Sequence, residues 1–281
     1  MVEITAVGAL LRQTARRLEE GGIQEGDFEA LQMLQSLGFT KIQILEGTAL
    51  VPVRQQQRLE ELLTRRLAGE PLQYLLGEWE FYGLTLSVGP GVLIPRPDTE
   101  TLVEVGLRFL KNRPSCRVLD LCAGTGCVGL AVEQHAKGSF TIYALEKEDA
   151  AFYYLKENLL RHQSRIIPLH QDGLNPGPEA EGLDLILCNP PYLTGEDLES
   201  LQTEVRYEPK TALDGGEDGL FFYRRFTSIW KERLHPGGLL AYEIGMGQQE
   251  EVSDILAREG FKDVQWKEDL SGIVRVVSGR R

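Results

Sequence analysis

Apolar residues recur along this chain at two different spacings, and the change between them divides it. Over residues 1–70 the spacing is helical. Ile4, Val7, Leu10, Leu11 and Leu18 share one face, and Gly21-Gly22 ends the run. Asp27 is the expected N-cap of a second helix carrying Phe28, Leu31, Leu34 and Leu37, and Thr40 the cap of a short third. Pro52 opens a fourth helix with Leu59, Leu62, Leu63 and Leu67, stopped at Gly69. Short amphipathic helices cannot cover their apolar faces alone, so residues 1–70 are predicted to form a small, purely helical bundle.

The period then falls to two. Trp79–Tyr82 and Leu84–Val88, joined around Gly83, predict a β-hairpin within a linker spanning residues 71–95. Pro90, Pro95 and Pro97 punctuate the next stretch, and Asp98 is placed to cap a helix running to about Leu110. From Arg117 strands alternate with helices, the strands falling near Val118–Leu121, Thr141–Leu145, Ile166–His170, Leu183–Cys188 and Leu239–Ile244. Such alternation predicts a parallel sheet covered on both faces, an α/β domain over residues 96–281. Two last strands, near Phe261–Trp266 and Ile273–Val277, are too close in sequence for a helical crossover and are expected to pair antiparallel at an edge.

Composition narrows the classes. The 281 residues carry a net charge of −12, which argues against affinity built on many phosphate contacts. No run reaches the ~18 apolar residues of a membrane span, and Met1-Val2-Glu3-Ile4 does not begin like a secretion signal. A cytoplasmic protein without membrane contact is the expectation. Cys116, Cys122, Cys127 and Cys188 form no CxxC pair and have no histidine at ligand spacing, so they read as small apolar thiols and no metal is expected.

Two motifs carry chemistry. Asp120-Leu121-Cys122-Ala123-Gly124-Thr125-Gly126 follows the first of the alternating strands and leads into a helix. Glycines there let the backbone turn sharply against a ligand. Gly124–Gly129 also matches GxGxxG, with Glu146 20 residues beyond Gly126, so a nicotinamide dinucleotide competes. Asp120 tilts the choice: a carboxylate at that strand end repels a pyrophosphate but suits the ammonium of S-adenosylmethionine, which carries no phosphate. Glu146 would then take the ribose hydroxyls, and Asp172, after the third strand, the adenine amine.

The second motif, Asn189-Pro190-Pro191-Tyr192, directly follows the buried run Leu183–Cys188, beside the expected topological switch point. An amide nitrogen is a poor nucleophile because its lone pair is delocalised. If the Asn189 side-chain oxygen and the Pro190 carbonyl each accept one N–H, that nitrogen is fixed with a face open to the methyl, and positive charge developing on it is stabilised. The pyrrolidine rings stiffen the two acceptors, and Tyr192 would stack on the flat group. Methylation of an amide or amino nitrogen follows.

On these residues the chain resembles the protein-(glutamine-N5) methyltransferases of peptide chain release factors. The resemblance spans nearly the whole length. It includes Pro71–Gly77, Glu80–Gly83, Leu93–Glu100, Asn189–Tyr192, Glu208–Leu213 and Gly215–Leu220. It implies a class I, Rossmann-like methyltransferase domain of seven mostly parallel strands behind an N-terminal helical bundle, with the glutamine of the Gly-Gly-Gln loop of bacterial class-1 release factors as substrate. It maps the donor site onto Cys122–Gly126, Glu146, Asp172 and Asn189, and the glutamine site onto Asn189–Tyr192. S-adenosylhomocysteine is the implied product, and a monomer is expected. The chain departs from the family pattern at Cys122 (usually Gly), Glu146 (commonly Asp) and Gly173-Leu174 (often Trp-Phe). Cys122 is small enough for the turn if its φ stays negative, and the missing aromatic pair leaves one wall of the adenine pocket open.

The rival enzyme is an N6-adenine DNA methyltransferase, which presents a similar tetrapeptide to a flipped base. It needs a surface that grips duplex phosphates, and this acidic chain has no evident recognition domain. A protein that only binds the donor predicts a degraded amide pocket, whereas Asn189–Tyr192 are intact. Arg12, Arg16, Arg17, Arg54, Arg58, Arg65 and Arg66 of the bundle read either as solvated helix faces or as a dock for an acidic partner.

Overall fold

The computed structural model describes residues 5–281, so Ile4 and the reading of Met1–Ile4 lie outside the described residues. Two compact units result: residues up to Gly77 with Thr203–Tyr207, and Glu78–Gln202 with Glu208–Arg281.

The first unit holds α1 (Val7–Glu20), α2 (Gly26–Ser36), α3 (Lys41–Glu46), α4 (Val53–Leu67) and α5 (Leu72–Leu76). It is not purely helical, because β1 (Thr5–Ala6) pairs antiparallel with β2 (Leu50–Val51). Val7, Leu10 and Leu18 of α1 pack inward with Leu59, Leu62 and Leu63 of α4. Thr40 caps α3 in a reciprocal capping box with Gln43. Asp27 is not a cap: it lies in the first turn of α2, behind Glu25. The inward stripe of α2 is also shifted from the predicted one. Phe28 is exposed, while Ala30, Met33, Leu34 and Glu29 are buried. The cause is Arg66, 4% exposed, whose Nε and Nη2 donate to Glu29 at 2.7 and 2.9 Å. Hydrophobic period cannot anticipate an inward face that carries an ion pair.

The second unit begins with the hairpin β3 (Glu78–Phe81) and β4 (Leu84–Ser87). A 3₁₀ turn, Pro97–Thr99, precedes α6 (Glu100–Leu110). Asp98 makes no cap there and instead pairs with Arg275 at 2.9 Å. Then follow β5 (Ser115–Leu121), α7 (Cys127–His135), β6 (Ser139–Glu146), α8 (Asp149–Arg161), β7 (Ile167–His170) and β8 (Leu183–Cys188). The chain closes with α9 (Gly195–Glu199), α10 (Phe221–Lys231), β9 (Leu234–Glu243), α11 (Gln249–Arg258), β10 (Lys262–Glu268) and β11 (Val274–Arg280).

The seven strands lie in the order β10-β11-β9-β8-β5-β6-β7. β7, β6, β5, β8 and β9 are parallel, and β11 and β10 complete one edge antiparallel. Successive residues of a central strand serve opposite cores. Val118, Leu185 and Leu187 face Leu102, Leu130 and Leu155, while Leu119, Leu121 and Ile186 face Tyr223, Phe226 and Trp230. This is why parallel strands read as near-continuous apolar runs. The topology brings the carboxyl ends of β5, β6, β7 and β8 to one rim, with the switch point between β5 and its neighbours β6 and β8.

Candidate active site

A cavity of about 450 Å³ opens at that rim, within the size range of small-ligand sites. Its walls include every member of the predicted donor set except Gly126: Asp120, Cys122–Thr125, Glu146, Asp172 and Asn189. Pro191 also lines it, whereas Pro190 and Tyr192 do not.

The glycine turn is built by backbone conformation. Cys122, Gly124 and Gly126 have φ of +63°, +56° and +80°. A side chain at Gly124 would meet only Val92, at 3.9 Å, so the turn presents open backbone to the cavity. The condition that Cys122 keep a negative φ is therefore not met. The turn requires the left-handed region, which costs a non-glycine residue about 1–2 kcal/mol.

Asp120 is 2% exposed, and its Oδ2 accepts the Gly129 N–H at 2.8 Å, in the first turn of α7. Burial pushes its pKa up to about 7, against the pull of that N–H. Glu146 accepts three backbone N–H groups: Gly124 at one oxygen, Lys147 and Glu148 at the other, all at 2.8 Å. Burial raises its pKa and these bonds oppose the rise. A carboxylate offers about four acceptor positions, so the oxygen shared with Gly124 keeps room for a ligand hydroxyl. Asp172 closes a local turn on the Leu174 N–H at 2.9 Å.

The tetrapeptide has trans peptide bonds. It is gripped from behind: Leu193 bonds Leu213 and Gly215, and Gln248 Nε2 donates to the Tyr192 carbonyl at 3.1 Å. A side chain on Gly219 would collide with that carbonyl. Asn189 Nδ2 donates to Thr99 Oγ1 at 3.3 Å. Burial holds the Tyr192 phenol well above its ordinary pKa, with Glu243 adding to the rise.

Two segments match family models: residues 9–77 the PrmC N-terminal domain, and residues 98–217 the methyltransferase small domain. The release factor glutamine methyltransferase of Geobacter sulfurreducens is 39% identical over 99% of this chain and 98% of its own length. That of Thermodesulfovibrio yellowstonii is 40% identical over 86% and 87%. The chain belongs to the release factor glutamine methyltransferase family. Among solved structures, the hMettl16 catalytic domain in complex with a MAT2A 3′UTR hairpin superposes with a TM-score of 0.58 at 16% identity, covering 83% of this chain and 84% of that one. That likeness concerns the fold.

Membership gives the departures from the family pattern their interest. At Gly173, a side chain would stand 3.0 Å from Leu121 and 3.1 Å from Phe226. Phe226 and Phe222 of α10 line the cavity beside Asp172 and Gly173. The aromatic side chains on this side of the cavity therefore come from a helix and not from the loop after Asp172. Four further residues escaped the sequence argument. Arg96 and Thr99 line the cavity. Buried Glu208 accepts the Ile94 N–H at 3.0 Å and also the Arg96 guanidinium, locking two of the recurring segments together. Glu243, 2% exposed, ends β9. Its signal was available, since an acid at the end of a parallel strand is what singled out Asp120.

Proposed function

We propose that this chain moves a methyl group from S-adenosylmethionine to the side-chain nitrogen of the glutamine in the Gly-Gly-Gln loop of class-1 peptide chain release factors. As a family member it is an S-adenosylmethionine-dependent protein-glutamine methyltransferase. The observation that carries the finer reading is that Asn189 lines the same cavity as the glycine turn and Glu146, with its amide nitrogen tied back to Thr99. That leaves Oδ1 as an acceptor where a donor's reactive end and a substrate carboxamide would meet.

The donor set fits the group. The open turn at Ala123–Thr125 can approach it, the free oxygen of Asp120 suits an ammonium, Glu146 a ribose hydroxyl, and Asp172 the adenine amine. Phe222 and Phe226 offer flat apolar faces beside Asp172. Bound there, S-adenosylmethionine supplies a methyl already activated by its sulfonium, so the reaction needs no metal. Asn189 Oδ1 and the Pro190 carbonyl each accept one substrate N–H, holding the nitrogen in place and stabilising the positive charge it acquires. The spare proton leaves to water afterwards.

Recognition of the whole factor falls to the helical unit, where exposed Arg12, Arg16 and Arg54 suit an acidic protein surface. Arg17, Arg58 and Arg65 are engaged by Glu60, Glu61 and Glu70, and Arg66 is buried, so the basic face is narrower than the sequence suggests. Among the described residues no helix is long and apolar enough to cross a membrane. We place the chain in the cytoplasm, as a monomer that makes no direct contact with nucleic acid.

The test offers methyl-labelled donor with either release factor or duplex DNA. Label is expected on the Gly-Gly-Gln glutamine and not on DNA. Label on DNA adenine with an unmodified factor would replace this reading with the rival one.

A further inference from the structure

We infer that Glu243 is a positioning residue for methyl transfer: together with Thr99 it holds the Asn189 carboxamide with its NH2 turned into the protein and its Oδ1 turned to the substrate. The inference rests on the reading that Asn189 grips the substrate amide.

Asn189 follows β8 and Glu243 ends β9, neighbouring parallel strands whose register sets Cys188 beside Tyr242. The next residue of each strand therefore leaves the sheet at the same rim. Thr99, in the 3₁₀ turn before α6, completes the group. Asn189 Nδ2 donates to Thr99 Oγ1 at 3.3 Å, and the Glu243 carboxylate stands close enough to both side chains for each to favour its ionised form. A hydroxyl that gives its one proton to a carboxylate has only lone pairs to offer a third group, and an ionised carboxylate has only lone pairs throughout. Both neighbours of Asn189 thus demand N–H. The reversed amide would set its carbonyl against two acceptors, so the ionised pair fixes which end of Asn189 faces outward.

Glu243 is poorly placed for stability alone. It is 2% exposed, and its Oε2 has no hydrogen-bond partner among the described residues. A buried carboxylate left short of partners is worse for folding than an apolar side chain of similar size. Its backbone is held independently, by the Tyr223 hydroxyl donating to the Glu243 carbonyl at 3.0 Å.

A lock that depends on ionisation is sensitive to pH. Burial pushes Glu243 up to about 7, against the pull of Thr99. Of the charged groups facing it, Asp98 raises its pKa and Arg275 lowers it. The titratable neighbours, the phenols of Tyr192 and Tyr223 and the thiols of Cys127 and Cys188, are all shifted upward by burial and stay neutral at pH 7. The raised pKa means that the ionised, orienting form is present above about 7 and lost as pH falls through it. Once protonated, Glu243 can donate, and the Asn189 amide is free to reverse.

The test compares Glu243→Leu, Glu243→Gln and Asn189→Ala with the intact full chain on purified release factor. Glu243→Leu and Asn189→Ala should each lower kcat by about 10²-fold, near the range for losing one preorganised contact. The double variant should be no worse than Asn189→Ala, because the two act as a unit. For Glu243→Leu the KM for S-adenosylmethionine should stay within about 2-fold and Tm should equal or exceed that of the parent. The ratio of parent to Glu243→Gln kcat should rise from near 1 at about pH 6 to about 10 at about pH 8. Asp120, pushed up to the same region, titrates in both proteins and cancels in that ratio. A Glu243→Leu enzyme as fast as the parent, beside a disabled Asn189→Ala, would overturn the inference and leave the site assignment standing. A pH-independent ratio, or a kcat loss that merely tracks a lower Tm, would overturn it too. A fully active Asn189→Ala would remove the assignment itself, and the inference with it.

Discussion

Arg66 in the helical unit and Glu243 in the sheet unit are both charged groups that folding removes from water, yet their surroundings differ. Arg66 meets Glu29 through two hydrogen bonds and Glu204, from the Thr203–Tyr207 segment, through a third at 2.6 Å. Burial works against its charge, but those carboxylates outweigh burial and hold the guanidinium above its ordinary pKa. Glu243 has no cation in hydrogen-bond contact and keeps one oxygen without a partner among the described residues. A buried charge with every bond made holds elements together. A buried charge left short loses stability to gain something else, and here it stands behind Asn189. The same division applies to Asp120, whose carboxylate has a single backbone partner and is also pushed up to about 7.

The largest expected effect attacks the Arg66 half of this contrast. Arg66→Met leaves the buried Glu29 carboxylate unpaired, which should cost about 3–5 kcal/mol of stability, read from a urea titration with unchanged slope. Methylation of a short Gly-Gly-Gln peptide by the folded protein should stay within about 2-fold. The contrast with Glu243→Leu, which is expected to lose turnover and keep stability, is the point of the measurement. A variant as stable as the parent but catalytically impaired would show that the satisfied ion pair is not architectural.

Glu146 sharpens the comparison because it belongs to both classes. It is well satisfied, with three backbone N–H bonds, and it also lines the cavity. Glu146→Gln removes the charge and one acceptor oxygen. Hydrogen bonds to charged groups are worth about 1.5–3 kcal/mol, so calorimetric affinity for S-adenosylmethionine should fall by about 10- to 100-fold. Unchanged affinity with a lower Tm would make Glu146 an organiser of the turn alone.

What could be read from the sequence follows the same line between local and distant causes. The strand run Leu183–Cys188, the Thr40 cap and the gathering of Asp120, Glu146, Asp172 and Asn189 around one cavity all depend on chain-local pattern plus one topological rule, and that much was legible. The inward stripe of α2 was not, because Glu29 is drawn in by a residue 37 positions away. Asp98 looked like a cap because nothing nearby announces Arg275. Aromatic groups were sought in the loop after Asp172, where Gly173 leaves a gap, and those that line the cavity, Phe222 and Phe226, come from α10 some 50 residues later. Pro190 was read as a carbonyl acceptor and Tyr192 as a stacking face from their types alone, while the packing of Gly215 and Gln248 behind them sets where the tetrapeptide backbone stands.

Cys122 is the smallest and most local of these contrasts, and the one place where the turn itself is strained. Its φ of +63° lies where a Cβ is disfavoured. Replacing it with glycine relieves about 1–2 kcal/mol of backbone strain and returns roughly 0.5–1 kcal/mol through the freer unfolded chain. Cys122→Gly should therefore be more stable than the parent by about 0.5–1 kcal/mol, seen as a higher denaturant midpoint at constant slope. The Cys122 side chain packs against the core cluster that holds buried Cys188, so its packing opposes the gain. A net loss of stability would mean that this packing outweighs the strain, and that the turn prefers cysteine for what its side chain touches rather than tolerating it despite its backbone.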